Sequence, residues 1–193
     1  MYFARLFVNS HTMTITFHAI RHTASPFWGP FVATYSQSFP IDEQRPIHDI
    51  ARLMETDERY IAHAITDGAS GPFLGLLTTW HFGDFIYIEH FALAPQYRSR
   101  GYGSIALRKF IQEHPCPVIL EAEPPTDALT RRRVQFYERN GFTLYDYPYV
   151  QPPYTPERNP VVLRLMGTLP STMSLADVAL SLYREVYGVA CGK

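Results

Sequence analysis

Cysteine is nearly missing from this chain: two in 193 residues, Cys116 and Cys191, standing far apart and in no zinc or redox spacing. That argues against a disulfide framework and suits a reducing compartment. A surplus of charge is missing too. Seventeen basic residues against eighteen acidic leave a formal net charge of -1. Such a chain has no whole-molecule field to gather nucleic acid or an anionic membrane surface, and neither is expected as a partner. No apolar run approaches the ~20 residues of a membrane span. Residues 1–12 lack the charged start and sustained apolar stretch of a secretory signal. These absences point to the cytoplasm, and no ligand spacing calls for a metal.

What is present is apolar substance, 46% hydrophobic and 15% aromatic. The length closes one substantial core and is short for two. One domain is expected over residues 13–168. A disordered extension, or a true start at Met13, is expected before it, and a C-terminal helix in 169–193 after it.

Thr14 to Ile20 is rich in β-branched residues, alternates polar with apolar and reads as a strand. Pro26 to Ser38 and Ile41 to Glu55 read as helices parted at Pro40. Tyr60 to Thr66, Phe73 to Phe82 and Phe85 to Leu93 are apolar runs separated by strong turn signals, hence an antiparallel meander. A glycine-containing loop then leads to a helix from about Gly101 to Glu113 and a strand at Val118 to Glu121. This β-loop-α-β order makes the flanking strands parallel. A helix from Thr126 or Asp127 to Asn140, stopped at Gly141, precedes strands at Phe142 to Tyr149 and Val161 to Met166. Ser174 to Tyr187 carries one apolar stripe, suited to docking on the domain or on a second copy in a homodimer.

Arg98-Ser99-Arg100-Gly101-Tyr102-Gly103-Ser104 lies between a predicted strand and a predicted helix. Its glycines let a ligand approach the backbone. The unpaired N–H groups and dipole of the helix start make an anion site, to which Arg98 and Arg100 add charge. A diphosphate fits. The plain alternative is a glycine turn that only joins two elements. Gly-Lys-Ser/Thr of a Walker loop is lacking, as is the three-glycine Rossmann pattern with its later acid.

The run Ile88-Glu89-His90-Phe91-Ala92-Leu93-Ala94-Pro95-Gln96-Tyr97-Arg98-Ser99-Arg100-Gly101-Tyr102-Gly103 resembles the central motif of the GNAT superfamily of acetyl-CoA-dependent N-acetyltransferases. Val134-Gln135-Phe136-Tyr137-Glu138-Arg139-Asn140-Gly141-Phe142 is similar to that family's second motif, in the expected order. The resemblance covers roughly Ile15 to Met166. It implies an α/β (α+β) GNAT fold: a central mixed, mostly antiparallel sheet with a splayed parallel pair and flanking helices. It also implies a transferase that moves an acetyl group from acetyl-CoA, as co-substrate, to a primary amine of a small molecule or peptide.

The resemblance further implies that main-chain groups of Phe91, Ala92 and Leu93 pair with the pantetheine arm. The N–H groups of Arg98, Ser99, Arg100, Gly101, Tyr102, Gly103 and Ser104 would hold the diphosphate. Tyr137 would give a proton to the leaving thiolate; its alternative is a packed core aromatic. An amine of pKa ~10.4 must lose a proton before it attacks, and Glu121, Glu89 and Glu123 are candidate bases, with Glu121 ranked first. Strict alternation puts Glu89 on one face with Tyr87 and Phe91 unless a bulge intervenes. Each acid is otherwise a solvated or ion-paired carboxylate.

Relatives commonly place Asn before the tyrosine, where this chain has Thr130-Arg131-Arg132-Arg133. Eight of the seventeen basic residues fall between Arg98 and Arg139, and Arg133 is the candidate for a phosphate contact. Acceptor-side candidates are the aromatic segment Tyr145 to Tyr154, with Trp28, Trp80, His81 and His90, any of which packing alone would explain. A catalytically weak acyl-CoA-binding or interaction module on the same fold is the second function class.

Overall fold

The computed structural model describes residues 13–169 and 172–189. The extension expected over 1–12, and Cys191, lie outside them. The chain opens with β1 (Ile15–Ile20), then α1 (Trp28–Ser38) and α2 (Ile47–Thr56), before the meander β2 (Tyr60–Asp67), β3 (Phe73–His81) and β4 (Ile86–Leu93). Next come α3 (Tyr102–Glu113), β5 (Val118–Ala122), α4 (Ala128–Glu138), β6 (Thr143–Leu144), β7 (Tyr149–Gln151), β8 (Val161–Gly167) and α5 (Leu175–Ser181). The sheet runs in the order β1-β2-β3-β4-β5-β8-β6, with β7 also on β8, and β4-β5 is its parallel pair.

Two buried clusters cover the two sheet faces. α1, α2 and α5 pack with Tyr60, Trp80, Tyr87 and Ile119 on one face; α3 and α4 pack with Ile86, Ile88, Val118 and Leu120 on the other. Period-2 alternation along β4 and β5 sends Tyr87 and Ile119 one way and their neighbours the other. The helices bury apolar residues one turn apart: Ile50, Leu53 and Met54 in α2, and Ala106, Leu107 and Phe110 in α3.

The helix expected from Ile41 starts later. Ile41–Glu43 forms a single 3-10 turn, Gln44 is extended, and α2 begins after Pro46. A proline ring disfavours helical backbone at the preceding residue, here Arg45. The interruption carries Arg45 into the interior, where it is 7% exposed. The strand expected as one piece from Phe142 to Tyr149 is two, Thr143–Leu144 and Tyr149–Gln151, both paired with β8. Pro148 has no N–H to give the ladder.

Both later helices start on side-chain caps. Asp127 accepts from Leu129 and Thr130 N–H, and Ser174 shares a capping box with Asp177. Past Ser181 the last helix widens into a π-helical turn, Leu182–Val186. Val178, Ala179, Leu182 and Val186 are all buried in the first cluster. Among the described residues no helix is long and apolar enough to cross a membrane.

Candidate active site

β4 and β5 pair only from Ile86 to Ile88, against Val118 to Leu120. Beyond that point β4 stays on β3 and β5 stays on β8, so the two diverge and a gap opens between them. A cleft of ≈ 730 Å³ runs through this gap. It is lined by the end of β4, the loop before α3, one side of α4 and the end of β5.

At the loop, Ser99 (φ 59°) and Gly101 (φ 84°) both have left-handed backbone. A serine there is uncommon. Turns of this kind aim successive N–H groups to one side as an anion cradle. α3 starts directly after Gly101 with no side chain capping it, so its first N–H groups are left for a ligand. Arg98, Ser99, Gly101, Gly103 and Ser104 line the cleft. Two expected residues do not: Arg100 is exposed, and Tyr102 packs edge-on against Tyr97 at 5.8 Å. The Arg98 side chain turns back, donating to the Leu93 carbonyl (2.8 Å) and to Ser38 Oγ (2.9 Å).

Phe91, Ala92 and Leu93 all border the cleft, but their main chains differ. Ala94 N–H donates to Leu74 C=O on β3. Antiparallel pairs alternate between bonded and unbonded, so Ala92 also spends its main chain on β3, while Phe91 and Leu93 aim theirs at the gap. Of the three residues expected to pair with pantetheine, two therefore turn main-chain groups away from β3.

The β3-β4 register slips between Thr78 and Thr79: Thr78 faces His90, Thr79 faces Ile88, and Glu89 is the extra residue of a bulge. The bulge separates Glu89 from Phe91, contrary to strict alternation. Glu89 and its neighbour His90 turn to the α1-α2 face, whereas Phe91 packs on the α3-α4 face. Glu89 Oε1 accepts from Arg45 Nη2 (2.6 Å), Arg45 Nε (3.0 Å) and Tyr154 Oη (3.0 Å), and Oε2 accepts from Trp80 Nε1 (3.2 Å). Its side chain is fully buried. Burial alone raises a carboxyl pKa, but Arg45 overcomes it and holds Glu89 below its ordinary value. His90 donates from Nε2 to the Glu43 carbonyl and is kept neutral by burial.

Among the described residues no cation pairs with Glu121. Tyr149 Oη donates to Oε1, and Tyr187 Oη lies 3.1 and 2.9 Å from the two oxygens. Burial pushes its pKa up to about 7, and the tyrosine hydrogen bonds only partly oppose this. Tyr137 approaches the cleft from α4, on the opposite face of the sheet. Burial raises its pKa to about 12, with Arg133 partly opposing the shift.

Arg133, the candidate phosphate contact, lines the cleft and pairs there with Glu123, so the third candidate base is an ion-pair partner. The aromatic segment is occupied by the protein's own cation, with the Arg45 guanidinium 4.6 Å from the Tyr154 ring centroid and 5.6 Å from that of Trp80. Trp28 stacks on Phe31, and His81 meets His114, both away from the cleft. Sequence reasoning missed Arg45 and Tyr187; Pro46 was a signal for the first.

The sequence profile described as the acetyltransferase (GNAT) family matches residues 18–142. A GNAT-family protein from Bacteroides thetaiotaomicron superposes with a TM-score of 0.84 at 30% identity, covering 91% of this chain and 99% of its own. The chain belongs to the GNAT acetyltransferase family. The ribosomal-protein-S18-alanine N-acetyltransferase from Escherichia coli shares the fold at a TM-score of 0.54 and 19% identity, over 83% of this chain and 96% of that one. A GNAT acetyltransferase from Elizabethkingia anophelis, solved with acetyl-CoA bound, does so at 0.52 and 12%, over 81% and 97%. No curated protein matches the sequence. Among the described residues no group of acids, histidines or cysteines is arranged to hold a metal.

Proposed function

We propose that this GNAT protein is an N-acetyltransferase that works in the cytoplasm, passing the acetyl group of acetyl-CoA to a primary amine of a small molecule or peptide. The observation that carries the reading is the parting of β4 from β5 with Glu121 at its floor. A gap there accepts an extended chain as an added strand, with the Phe91 main-chain groups and the Leu93 N–H as its ladder. The Ser99 to Ser104 amides sit at one end for a diphosphate.

Chemistry follows from the two faces. On the α1-α2 face, Glu121 takes a proton from the ammonium, freeing the nitrogen lone pair. A group with pKa about 7 is ionised often enough at neutral pH and still basic enough to serve. The nitrogen attacks the thioester carbonyl carbon, a C–N bond forms, and a main-chain N–H near the Glu89 bulge steadies the negative charge on oxygen. The C–S bond then breaks and its electron pair leaves on sulfur. Tyr137, protonated on the α3-α4 face, hydrogen-bonds that thiolate, which ends as a thiol with the second amine proton. Glu89 is not the base, because Arg45 holds its charge and the protein fills its lone pairs.

Thiol release from acetyl-CoA across a panel of amines, paired with calorimetry of coenzyme A binding, tests this. Turnover with at least one amine is expected, with binding heat lost in Gly101→Asp. That substitution puts a side chain and a negative charge on a left-handed residue of the anion cradle. Tight binding with no thiol release from any amine would favour the module reading; no binding heat at all would sink both.

A further inference from the structure

The C-terminal segment supplies a side chain to the site although it stands outside both family motifs. α5 and the π-helical turn are anchored by Val178, Ala179 and Leu182 in the core. Polar ties fix the end of the turn: Arg45 Nη2 donates to the Val186 carbonyl (3.0 Å), and Arg59 pairs with Glu185 (2.9 Å). Tyr187 follows directly. Its hydroxyl lies within 3.1 Å of both Glu121 oxygens and 3.1 Å from Tyr87 Oη. Tyr87, like Tyr149 and Tyr187, also directs a hydroxyl at Glu121, so neutral tyrosine donors converge on this one carboxylate.

We propose that Tyr187 is a positioning residue that holds both oxygens of Glu121 and helps set the pH at which this carboxylate accepts the acceptor's proton. The proposal rests on the reading of Glu121 as the base. A hydroxyl donor favours the ionised form, so Tyr187 works against the burial that raises Glu121. The other titratable groups around Glu121 are Tyr87 and Glu89 from β4, Tyr149 from β7, and Tyr154 from the loop after it. α4 brings Tyr137 and Arg133 to the same cleft, the latter paired with Glu123, and Arg164 of β8 is turned to Asp146 and the Tyr147 carbonyl.

The experiment is the pH profile of kcat/KM for the acceptor in four proteins: the parent, Tyr187→Phe, Glu121→Gln, and the full chain with 3-fluorotyrosine at 187, which keeps the shape and donates more strongly. Loss of the donor should move the acid limb up by about half a pH unit or more, with KM for acetyl-CoA unchanged. The fluorinated chain should move it down, and this arm decides the matter if Tyr187→Phe does not fold. Limbs that superimpose on the parent's overturn the proposal while leaving Glu121 as base. Full turnover with an unmoved acid limb in Glu121→Gln removes the base itself, and the proposal with it.

Discussion

Glu89 and Glu121 stand on neighbouring strands, on the same face of the sheet, either side of the same gap, and both carboxyls are enclosed. Their chemistry is nevertheless opposite. Glu89 meets a guanidinium at 2.6 Å and is held ionised; Glu121 meets neutral tyrosines and is pushed up to about 7. Burial is common to both, so the charge of the partner is what divides a permanently ionised carboxylate from one that titrates near neutrality. Glu121→Gln is the sharpest way to break the contrast. A glutamine cannot take the ammonium proton, and turnover should fall by about 10²- to 10⁴-fold. Binding heat with coenzyme A should stay near the parent's. The same substitution should raise the melting temperature above pH 7, since folded Glu121 is ionised there at a desolvation cost that its unfolded form escapes. The sign follows from a folded pKa above the unfolded one: native stability is lost as pH rises from about 4.5 toward 7. A variant that is less stable at pH 8 and equally active would erase the distinction.

Glu89→Gln should show the mirror image. Removing one partner of a buried ion pair leaves Arg45 charged and uncompensated, which costs about 3–5 kcal/mol. Chemical denaturation should reveal a large loss of stability, whereas turnover per folded molecule should fall far less than in Glu121→Gln. If Glu89→Gln folded like the parent and lost turnover by the larger factor, the roles would have to be exchanged.

His63 extends the comparison to a buried group with no hydrogen-bond partner. Both ring nitrogens are buried and unbonded between Phe17 and Phe110, and burial lowers its pKa to about 3. Above its unfolded value near 6.5 both states are neutral. As pH falls below that, the unfolded chain takes up a proton that the native one refuses, and native stability drops by ~1.4 kcal/mol per unit. His63→Leu should therefore be more stable than the parent, with a gap that widens by roughly 2 kcal/mol between pH 7 and pH 5. A gap independent of pH would mean that the ring is charged or hydrated in the fold.

The fold and the side of the cleft formed by the loop before α3 were legible because they rest on local rules. Glycines next to a strand end, an Asp127 cap, a period-2 meander and a β-loop-α-β order all act within a few residues of where they are written. The side of the cleft around Glu89 and Glu121 rests on contacts between distant segments. Arg45 reaches Glu89 across 44 positions, and Tyr187 reaches Glu121 across 66. No spacing in the sequence encodes such meetings. The bulge at Glu89 was equally hidden, since one extra residue in a ladder leaves no mark on composition, yet it decides which way the carboxylate turns. Pro46 was the exception, a visible breaker whose effect was to send Arg45 inward rather than to end a helix.

The smallest expected effect concerns Tyr137, which lines the same cleft as Glu121 from the other face of the sheet. Its hydroxyl pKa of about 12 lies above the ~8.5 of an ordinary thiol, so outright proton transfer to the leaving sulfur runs uphill. A hydrogen bond to the developing thiolate is what remains, and thiolates are already tolerable leaving groups. Tyr137→Phe should then lower kcat by about tenfold, comparable to one net hydrogen bond, and leave KM for acetyl-CoA unmoved. The ring packs against Phe136 and Phe142, contacts that phenylalanine keeps, so the melting temperature should hold. Steady-state kinetics at several pH values separate the outcomes. A loss approaching that of Glu121→Gln would make Tyr137 the principal acid, and no loss would leave it a core aromatic of α4.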